Sequence, residues 1–373
     1  MHRIAIDARG AVWFRGTGIG TYIYHLLKEL VNFDLWNEYH LFWPEGEEKI
    51  PFMRYIFQGI PVLQERLKEQ ARIAQYMREK EIQLYHLPQN GVGYQNISRE
   101  HNLVVTIHDL IPYILPQTCH GSYLRRFLQS VPKALERAEM LITVSHHTRQ
   151  DLVSLLKIPP EKIAVIYEAP DEMFHPMDAA VVKKGLEAYK ISPGYLLYLG
   201  GFSPRKNLLL LVEAYQRLIK EGTDLPVMVL AGNQTGQYQL LASLVEKYGL
   251  QEKIVFPGYV AVNDLPALYN GARMFIYPSI YEGFGLPPLE AMACGVPTIA
   301  SRTSSIPEIV ENGAWLVDPY CPDELSTAIE FLFANPEQAN ELAARGKRRA
   351  AEFTWGKTAY QTLLVYESIL NAR

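Results

Sequence analysis

Short apolar runs alternate with longer amphipathic stretches along the first half of the chain. The short runs predict strands, and the stretches between them have the spacing of helices. The predicted strands are Arg3–Asp7, Tyr39–Trp43, Leu84–Leu87, Leu103–Ile107, Met140–Val144 and Ile163–Ile166. The predicted helices include Gly20–Leu30, Pro61–Lys80, Tyr123–Ala138 and His146–Leu156. Such alternation is typical of parallel α/β units.

The same alternation starts again after Ala169–Pro193, a segment rich in proline and charge. The strands of this second series are Tyr195–Leu199, Val227–Ala231, Ile254–Phe256, Met274–Tyr277, Thr298–Ala300 and Trp315–Val317. The helices are Leu208–Glu221, Tyr238–Gly249, Leu265–Gly271, Pro288–Ala293, Pro307–Glu311, Pro322–Ala334, Pro336–Glu352 and Lys357–Leu370. Strands this apolar have to be covered on both faces, as parallel sheets require.

Two such series predict an α/β protein of two Rossmann-like, parallel-sheet domains that face each other across a cleft. The first domain covers residues 1–168, a linker covers 169–194, and the second domain covers 195–356. We expect the last helix, within 357–373, to join the first domain.

Composition and charge narrow the class of protein. Of the 373 residues, 48% are hydrophobic and 20% are charged, a composition that excludes a disordered or fibrous chain. The formal net charge is -4, with 36 Lys and Arg against 40 Asp and Glu, whereas nucleic-acid binding calls for a basic excess. We therefore expect no nucleic-acid partner.

Cysteine and targeting signals are sparse. The three cysteines form no C-x-x-C pair, so neither a disulfide framework nor a thiolate zinc site is predicted. Asp7 interrupts the apolar run of a signal peptide, and no apolar stretch is long enough to span a bilayer. These signals predict a cytoplasmic protein. One predicted amphipathic helix has a basic side with Arg125, Arg126 and Lys133. This helix either contacts the membrane surface peripherally or packs its apolar side in the core.

Two familiar motifs nearly appear and are set aside, and a third is absent. Gly16–Gly20 follows the first strand as a dinucleotide-binding loop would, but Ile23 stands where that motif needs a small residue, so an NAD enzyme is disfavoured. Gly356–Thr358 ends like a phosphate-binding loop but has no strand before it. No D-x-D triplet occurs, which removes the usual way in which a nucleotide-sugar transferase holds a divalent ion, so we expect no metal site.

The most informative segment runs from Tyr277 to Gly295. An apolar strand leads into a glycine-containing loop and then into a helix with proline at its start and glycine at its end. The loop glycines allow backbone to approach a ligand closely, and the helix start offers free N–H groups to an anion. We place Glu282 before the helix and Glu290 in its first turn, where both suit sugar or ribose hydroxyls. The alternative is a glycine turn with two surface glutamates.

The motif Glu282-x7-Glu290, within EGFGLPPLEAMACGVPTIAS, resembles the E-x7-E signature of family 4 retaining glycosyltransferases, which have the GT-B fold. Further similar segments lie along the chain: Gly200–Asn207, Phe256–Val260, Ser304–Ile309 and Phe353–Trp355. The segments most similar to bacterial polysaccharide and O-antigen mannosyltransferases are Thr17–Gly20 and Pro204–Asn207 together with the E-x7-E segment. Two positions depart from the family pattern, since Gly201 stands where many members have arginine, and Glu168-Ala169 where many have Asn-Gly.

The resemblance implies a metal-independent enzyme that moves a hexose from a nucleoside-diphosphate sugar to an acceptor hydroxyl, with retention at the anomeric carbon. Mannose is the favoured hexose and GDP-mannose the favoured donor, ahead of UDP-sugars. The acceptor would be a glycan or a lipid-linked molecule, in glycan, lipopolysaccharide or glycolipid synthesis. No cofactor is expected, because the nucleotide sugar is a substrate. In the family's front-face route the leaving phosphate helps to deprotonate the acceptor, so no dedicated base is needed.

The resemblance also implies a role for each matching residue. The catalytic residues would be His108, Lys206 and Glu282. The donor-binding residues would be Gly18, Gly20, Arg205, Lys206, Val260, Glu282, Phe284, Gly285, Leu286 and Glu290. Among them, Lys206 would bind the diphosphate, Glu282 the sugar and Glu290 the ribose.

Residues of the first half would complete the site. Gly18 and Gly20 would let a loop close over the donor. His108 follows an apolar strand and matches the family histidine near the donor sugar. The alternative for His108 is a buried structural histidine.

Two other classes of function stay open on the sequence. A sugar-nucleotide epimerase of the same fold would act on its donor without a second substrate. A non-catalytic nucleotide-binding module is the other class, and the presence of Lys206, Glu282 and Glu290 disfavours it. Release of nucleoside diphosphate only in the presence of an acceptor separates the transferase from both.

Overall fold

The computed structural model describes residues 1–14, 16–44, 62–65, 70–94 and 97–372, with the backbone alone for 62–65 and 70–72. The chain divides into two compact units. The first unit combines Met1–Glu168 with Thr354–Arg373, and the second is the continuous segment Ala169–Phe353.

The first unit is built on a parallel sheet of seven strands in the order β3-β2-β1-β4-β5-β6-β7. The strands are β1 (Arg3–Asp7), β2 (Glu38–Pro44), β3 (Val62–Glu65), β4 (Leu84–Leu87), β5 (Asn102–Ile107), β6 (Met140–Thr143) and β7 (Ile163–Val165). The helices are α1 (Gly10–Trp13), α2 (Gly18–Phe33), α3 (Gln70–Glu79), α4 (Ile111–Ile114), α5 (Gly121–Arg137), α6 (His146–Leu156) and α15 (Trp355–Leu370).

The second unit has a parallel sheet of six strands in the order β10-β9-β8-β11-β12-β13. The strands are β8 (Tyr195–Leu199), β9 (Met228–Ala231), β10 (Ile254–Gly258), β11 (Ala272–Tyr277), β12 (Thr298–Ser301) and β13 (Trp315–Val317). The helices are α7 (Ala179–Leu186), α8 (Leu208–Lys220), α9 (Tyr238–Lys247), α10 (Leu265–Asn270), α11 (Leu286–Ala293), α12 (Ile306–Val310), α13 (Pro322–Ala334) and α14 (Pro336–Ala350).

The apolar strands lie in the cores of the two units. Every residue of β5 and of β9 is buried, as expected for parallel strands that helices cover on both faces. In the first unit, Phe127 and Val131 of α5 share one hydrophobic cluster with Leu103 and Val105 of β5. The apolar side of α5 therefore packs in the core, while Arg125, like other residues on its opposite side, is exposed.

Each sheet has one point where the strand order reverses. In the first unit the chain builds outward from β1 to β3 and then crosses to β4 on the other side of β1. In the second unit the same reversal occurs between β8 and β11. Ligands of open α/β sheets bind outside the carboxyl ends of the strands at such points. In the second unit these ends lead directly to Lys206, after β8, and to Glu282, after β11.

The predicted helix Pro61–Lys80 is wrong at its start. Residues 62–65 form the edge strand β3, which pairs in parallel with the end of β2, and the helix α3 covers only Gln70–Glu79. Residues 61 and 66–69 lie outside the described part of the chain. A strand of four residues with polar residues at one end shows too little alternation of apolar and polar positions to be predicted. Such a strand can form at the edge of a sheet, where polar residues are tolerated.

The segment predicted as a linker, 169–194, contains the helix α7 and groups with the second unit. This helix packs closely on α10, since a Cβ added at Gly185 would lie 2.6 Å from the Cβ of Ala267. The second unit also ends at Phe353, before the predicted boundary at 356. Thr354 caps α15, its side chain accepting a hydrogen bond from the Lys357 N–H, so the chain re-enters the first unit there.

Candidate active site

The loop between β11 and α11 carries Glu282 to the carboxyl edge of the second sheet. Gly285 is the N-cap of α11 and has φ +112°, a left-handed conformation that glycine adopts without strain. A Cβ at this position would lie 2.6 Å from Ile306 Cδ1, so glycine is also required by the packing. The sequence pattern predicted the order of strand, glycine-containing loop and helix, although the helix begins at Leu286 and not at Pro288.

Lys206 and Arg205 come from a short 3-10 turn, Pro204–Lys206, after β8. Both reach the same oxygen of Glu282: Lys206 Nζ lies 2.6 Å and Arg205 Nη1 2.7 Å from Oε1. Lys206 and Glu282 are each only 7% exposed, so this ion pair is largely out of water. The two adjacent cations therefore point the same way, which the sequence alone did not establish.

Two hydroxyl groups complete the surroundings of Glu282. The Ser279 hydroxyl donates to Oε1, and the Tyr277 hydroxyl donates to it at 3.0 Å. Tyr277 also accepts from Lys206 Nζ at 2.5 Å, so it bridges the lysine and the carboxylate. Four donors thus converge on Oε1, and Oε2 receives none of these four.

The charge state of Glu282 follows from these contacts. Burial raises the pKa of a carboxyl group, but the charges of Arg205 and Lys206 outweigh it and lower the pKa of Glu282 to about 2. Burial, together with the nearby carboxylate, raises the pKa of Tyr277 well above its usual value, so its hydroxyl stays a neutral donor. The cluster at neutral pH consists of two cations and one carboxylate.

The loop after β12 fixes the backbone that carries Glu282. The Glu282 N–H donates to Ser304 Oγ at 2.9 Å, and Ser305 Oγ donates to the carbonyl oxygens of Glu282 at 3.0 Å and of Phe284 at 2.8 Å. Ser304 has φ +53°, which is uncommon for a residue other than glycine. The sequence predicts no role for these serines, because no local pattern marks a contact across more than twenty residues.

Glu290 lies in the second turn of α11, so its predicted place in the first turn is wrong. The helix begins at Leu286, two residues before the predicted start, which moves Glu290 deeper into it. Its Oε2 accepts a hydrogen bond of 2.7 Å from the hydroxyl of Tyr269 on α10. Burial raises the pKa of Tyr269, so this hydroxyl is a fixed neutral donor that orients the carboxylate.

The start of α11 is a smaller anion site than the sequence suggested. Pro287 and Pro288 carry no N–H, so the donors at this end are those of Gly285 and Leu286. Phe284 and Leu286 are buried beside them. Val260 is also buried and follows β10, whose carboxyl end lies at the same edge of the sheet as those of β8 and β11. The second unit therefore gathers the donor-binding candidates from Arg205 to Glu290 along one sheet edge.

Gly201, which departs from the pattern that the sequence resembles, lies four residues before Arg205. A Cβ added at Gly201 meets nothing within 4 Å, so the missing side chain leaves open space. The guanidinium group that reaches Glu282 comes from Arg205 instead.

Gly18 and Gly20 do not lie in a loop, as predicted, but in the first turn of α2 in the first unit. Thr17 caps this helix, and its Oγ1 accepts a hydrogen bond from the Gly20 N–H at 3.4 Å. Nearby it is Gly16 that has the left-handed conformation, with φ +79°. A sequence of Thr17 followed by glycines predicts a loop, but in the structure the helix already begins at Gly18.

His108 lies directly after β5 and is buried in the first unit. Its Nδ1 is 2.8 Å from Glu168 Oε1, and its Nε2 is 2.9 Å from the carbonyl oxygen of Pro88. Burial alone would lower the pKa of His108, but the hydrogen bond and charge of Glu168 raise it overall. Glu168, which the sequence left without interpretation, is therefore the partner of His108.

Neither a metal cluster nor a membrane span is seen in the described ranges. No group of three or more His, Cys, Asp or Glu side chains among these residues is arranged to hold a metal ion. None of the helices described above is long and apolar enough to cross a bilayer. What the second unit does offer is a pair of cations for an anion and carboxylate oxygens for hydroxyl groups.

Comparison with known families matches both halves of the chain. A family model described as Glycosyltransferase Family 4 matches residues 16–172, and a model described as Glycosyl transferases group 1 matches residues 187–349. The O-antigen chain mannosyltransferase B of Escherichia coli is 32% identical over 371 residues, which cover 94% of this chain and 96% of that protein.

Solved structures of similar fold cover the chain from end to end. Sucrose-phosphate synthase of Thermosynechococcus elongatus has a TM-score of 0.77 at 20% identity and covers 100% of both chains. Anabaena HepE in complex with UDP-glucose has a TM-score of 0.75 at 19% identity, with 99% of this chain and 100% of that chain covered. These likenesses confirm the predicted α/β, GT-B fold class.

Proposed function

Because this chain belongs to the group 1 glycosyltransferases of family 4, we propose that it transfers mannose from GDP-mannose to an acceptor hydroxyl with retention at the anomeric carbon. The observation that carries this proposal is the cluster of Arg205, Lys206 and Glu282, which pairs cations for a diphosphate with a carboxylate for a sugar. The mannosyltransferase relative, similar over most of both chains, supports mannose as the sugar.

The cations act on the leaving diphosphate. Breaking the bond between the sugar and the diphosphate places negative charge on the phosphate oxygens and positive charge on the sugar. A lysine about 4 Å from that charge contributes roughly 4 kcal/mol at an effective dielectric constant of about 20. Lys206 fills this role, with Arg205 as a second cation and the N–H groups of Gly285 and Leu286 as additional donors. The departing phosphate, held by these groups, accepts the proton of the acceptor hydroxyl.

Glu282 orients the sugar. Its Oε1 is occupied by protein donors, which leaves Oε2 as the oxygen to accept hydrogen bonds from hexose hydroxyls. A carboxylate with a pKa of about 2 remains ionised throughout the physiological range, so Glu282 binds hydroxyls rather than transferring protons. On the same edge, Glu290 holds the ribose and the backbone at Val260 contacts the base.

Replacing Glu290 with alanine is expected to weaken the binding of nucleoside diphosphate about tenfold, because charge-assisted hydrogen bonds to the ribose are lost in ground and transition states alike. Turnover at saturating donor should change little. Isothermal titration of GDP with the variant, together with the donor KM, measures both. Tyr269→Phe should give a smaller loss, since the carboxylate stays but loses its 2.7 Å anchor.

A matched control for this prediction is Glu246→Ala, which removes an exposed glutamate from α9 of the same unit. It should bind GDP as the unmodified protein does. A Glu290→Ala variant with unchanged GDP affinity and reduced turnover would contradict the assignment of the ribose to Glu290.

We expect activity to survive chelation by EDTA. Arg205, Lys206 and the start of α11 supply positive charge to the diphosphate in place of a divalent ion. The check is the initial rate after dialysis against EDTA, with and without added Mg2+ or Mn2+. Complete loss of activity, restored by either ion, would show that a metal neutralises the diphosphate instead.

The acceptor is a glycan or a lipid-linked molecule. The relative named as an O-antigen chain mannosyltransferase supports this class of acceptor. We place the reaction in the cytoplasm. The exposed basic side of α5, with Arg125, Arg126 and Lys133, is the surface that would meet anionic lipid headgroups.

The donor is tested by thermal unfolding with GDP-mannose, UDP-glucose and UDP-N-acetylglucosamine, each beside its free nucleotide. GDP-mannose should raise the unfolding temperature most. Transfer is then followed as GDP release with methyl α-mannoside or a mannose oligosaccharide, and the anomeric configuration of the product is determined by NMR. Stabilisation by a UDP-sugar alone would reassign the donor, release without any acceptor would favour an epimerase or hydrolase, and an inverted product would overturn retention.

A further inference from the structure

A buried pair of an acid and a histidine lies in the first unit. Glu168 and His108 are 4% and 6% exposed, and the carboxylate oxygen Oε1 lies 2.8 Å from the ring nitrogen Nδ1. Glu168 is the last residue of the first unit, sixty positions after His108 in the sequence. The geometry of this pair determines which atoms of the histidine carry protons.

The two ring nitrogens of His108 each face an acceptor. The Pro88 carbonyl oxygen, 2.9 Å from Nε2, can only accept a hydrogen bond, so Nε2 carries a proton. The other nitrogen faces the carboxylate of Glu168, which accepts from Nδ1–H when it is ionised. With both protons in place the ring is an imidazolium, and its charge is balanced by the adjacent carboxylate.

The groups around the ring agree with a positive charge on it. Glu168 raises the pKa of His108 against the effect of burial, and Asp109 adds to this in the same direction. His86, on the neighbouring strand β4, has its pKa lowered to about 3 by burial and by the charge of His108, so it stays neutral. The rings of Tyr22, on α2, and His108 are packed edge to face, with their centroids 4.8 Å apart. Burial raises the pKa of Tyr22, so its hydroxyl stays protonated.

The backbone on both sides of the pair is also held in place. The His108 N–H donates to Asn90 Oδ1 at 2.5 Å, and Thr148 Oγ1 donates to the His108 carbonyl at 3.3 Å. Beside Glu168, the carbonyl of Tyr167 accepts a hydrogen bond of 2.7 Å from Thr358 on α15. Neither partner can shift without breaking contacts within the first unit.

We infer that Glu168 is a positioning residue for hexose transfer, which holds His108 as a fixed imidazolium at the carboxyl end of β5. His108 then contributes a constant charge and a fixed ring instead of acting as an acid or base. The role of Glu168 in transfer rests on the proposed function. The charge state of His108 does not depend on any activity.

The test combines an NMR titration with a pH profile on the full chain. In protein labelled with 15N-histidine, both ring nitrogens of His108, identified with a His108→Gln variant, should remain protonated from about pH 6 to about pH 8. In Glu168→Gln the amide keeps the hydrogen bond but removes the charge, so the ring should be neutral at about pH 8. For that variant kcat/KM should be about tenfold or more below the unmodified protein at about pH 8, and the difference should narrow as the pH falls through the range in which the NMR titration shows the variant ring gaining its second proton.

The control is Glu161→Gln, which neutralises an exposed glutamate in the same unit and should follow the unmodified profile. A neutral His108 ring in the unmodified protein at about pH 8 would overturn the inference. So would a Glu168→Gln profile that stays parallel to the unmodified one across the pH range in which the variant ring gains its second proton, since this would indicate a structural role only. If the unmodified protein transfers no hexose, the proposed function fails, and the titration still supports or overturns the imidazolium.

Discussion

Lys206→Ala is expected to lower the rate of transfer about a thousandfold or more, with the protein still folded. The ammonium group provides roughly 4 kcal/mol toward charge that develops on the diphosphate, and each 1.4 kcal/mol corresponds to about a factor of ten in rate. Glu282 keeps Arg205, Ser279 and Tyr277 as donors in the variant, so its carboxylate stays satisfied. The measurement is kcat and kcat/KM with GDP-mannose, beside the circular dichroism spectrum and the unfolding midpoint.

A matched control for this prediction is Lys247→Ala, which removes an exposed lysine from the last turn of α9. It should transfer at the unmodified rate. Lys206→Arg tests geometry rather than charge, and we expect it to retain only part of the activity because the guanidinium group is planar and longer. Normal turnover in folded Lys206→Ala protein would refute the role of the lysine.

Glu282→Gln is expected to lower kcat by about a hundredfold or more and also to destabilise the second unit. The amide cannot balance the two cations, so Lys206 and Arg205 would repel each other in a largely buried site. Removing one partner of a buried ion pair typically costs about 3 kcal/mol. The double variant Lys206→Met with Glu282→Gln should regain part of that stability and none of the activity. Urea unfolding of the two single variants and the double variant gives the coupling free energy.

The stability difference between the unmodified protein and Glu282→Gln should depend on pH. The pKa of Glu282 is lowered to about 2 in the folded state, so its contribution is fully present above the unfolded value and is lost as the pH falls toward 2. The two unfolding midpoints should therefore converge in acid. A constant difference down to about pH 2.5 would indicate that the carboxylate is not held by the cations.

Local sequence patterns were sufficient for the scaffold of the site. The apolar run of β11, the glycines of the loop and the prolines at the start of α11 each act within a few residues, so their effects can be read from neighbours in the chain. The family resemblance added which of these side chains to associate with a nucleotide sugar.

What the sequence did not provide is the set of contacts between distant segments. Ser304 and Ser305 hold the Glu282 backbone from more than twenty positions away, and Tyr269 reaches Glu290 from another helix. Glu168 meets His108 across sixty positions. Such pairs depend on how the strands are ordered in each sheet, and one sequence without related ones carries no local signal for them.

The return of the chain into the first unit has a consequence for its biosynthesis. The hydroxyl of Tyr366 on α15 lies 2.6 Å from His86 Nδ1 on β4, a contact between residues 280 positions apart. At a synthesis rate of about 5–20 residues per second, His86 leaves the ribosome roughly 15 to 60 seconds before its partner. The second unit is one continuous segment and has all of its strands available in the meantime. Because α15 packs against α2, we expect the first unit to complete its packing only after the second unit has been synthesised.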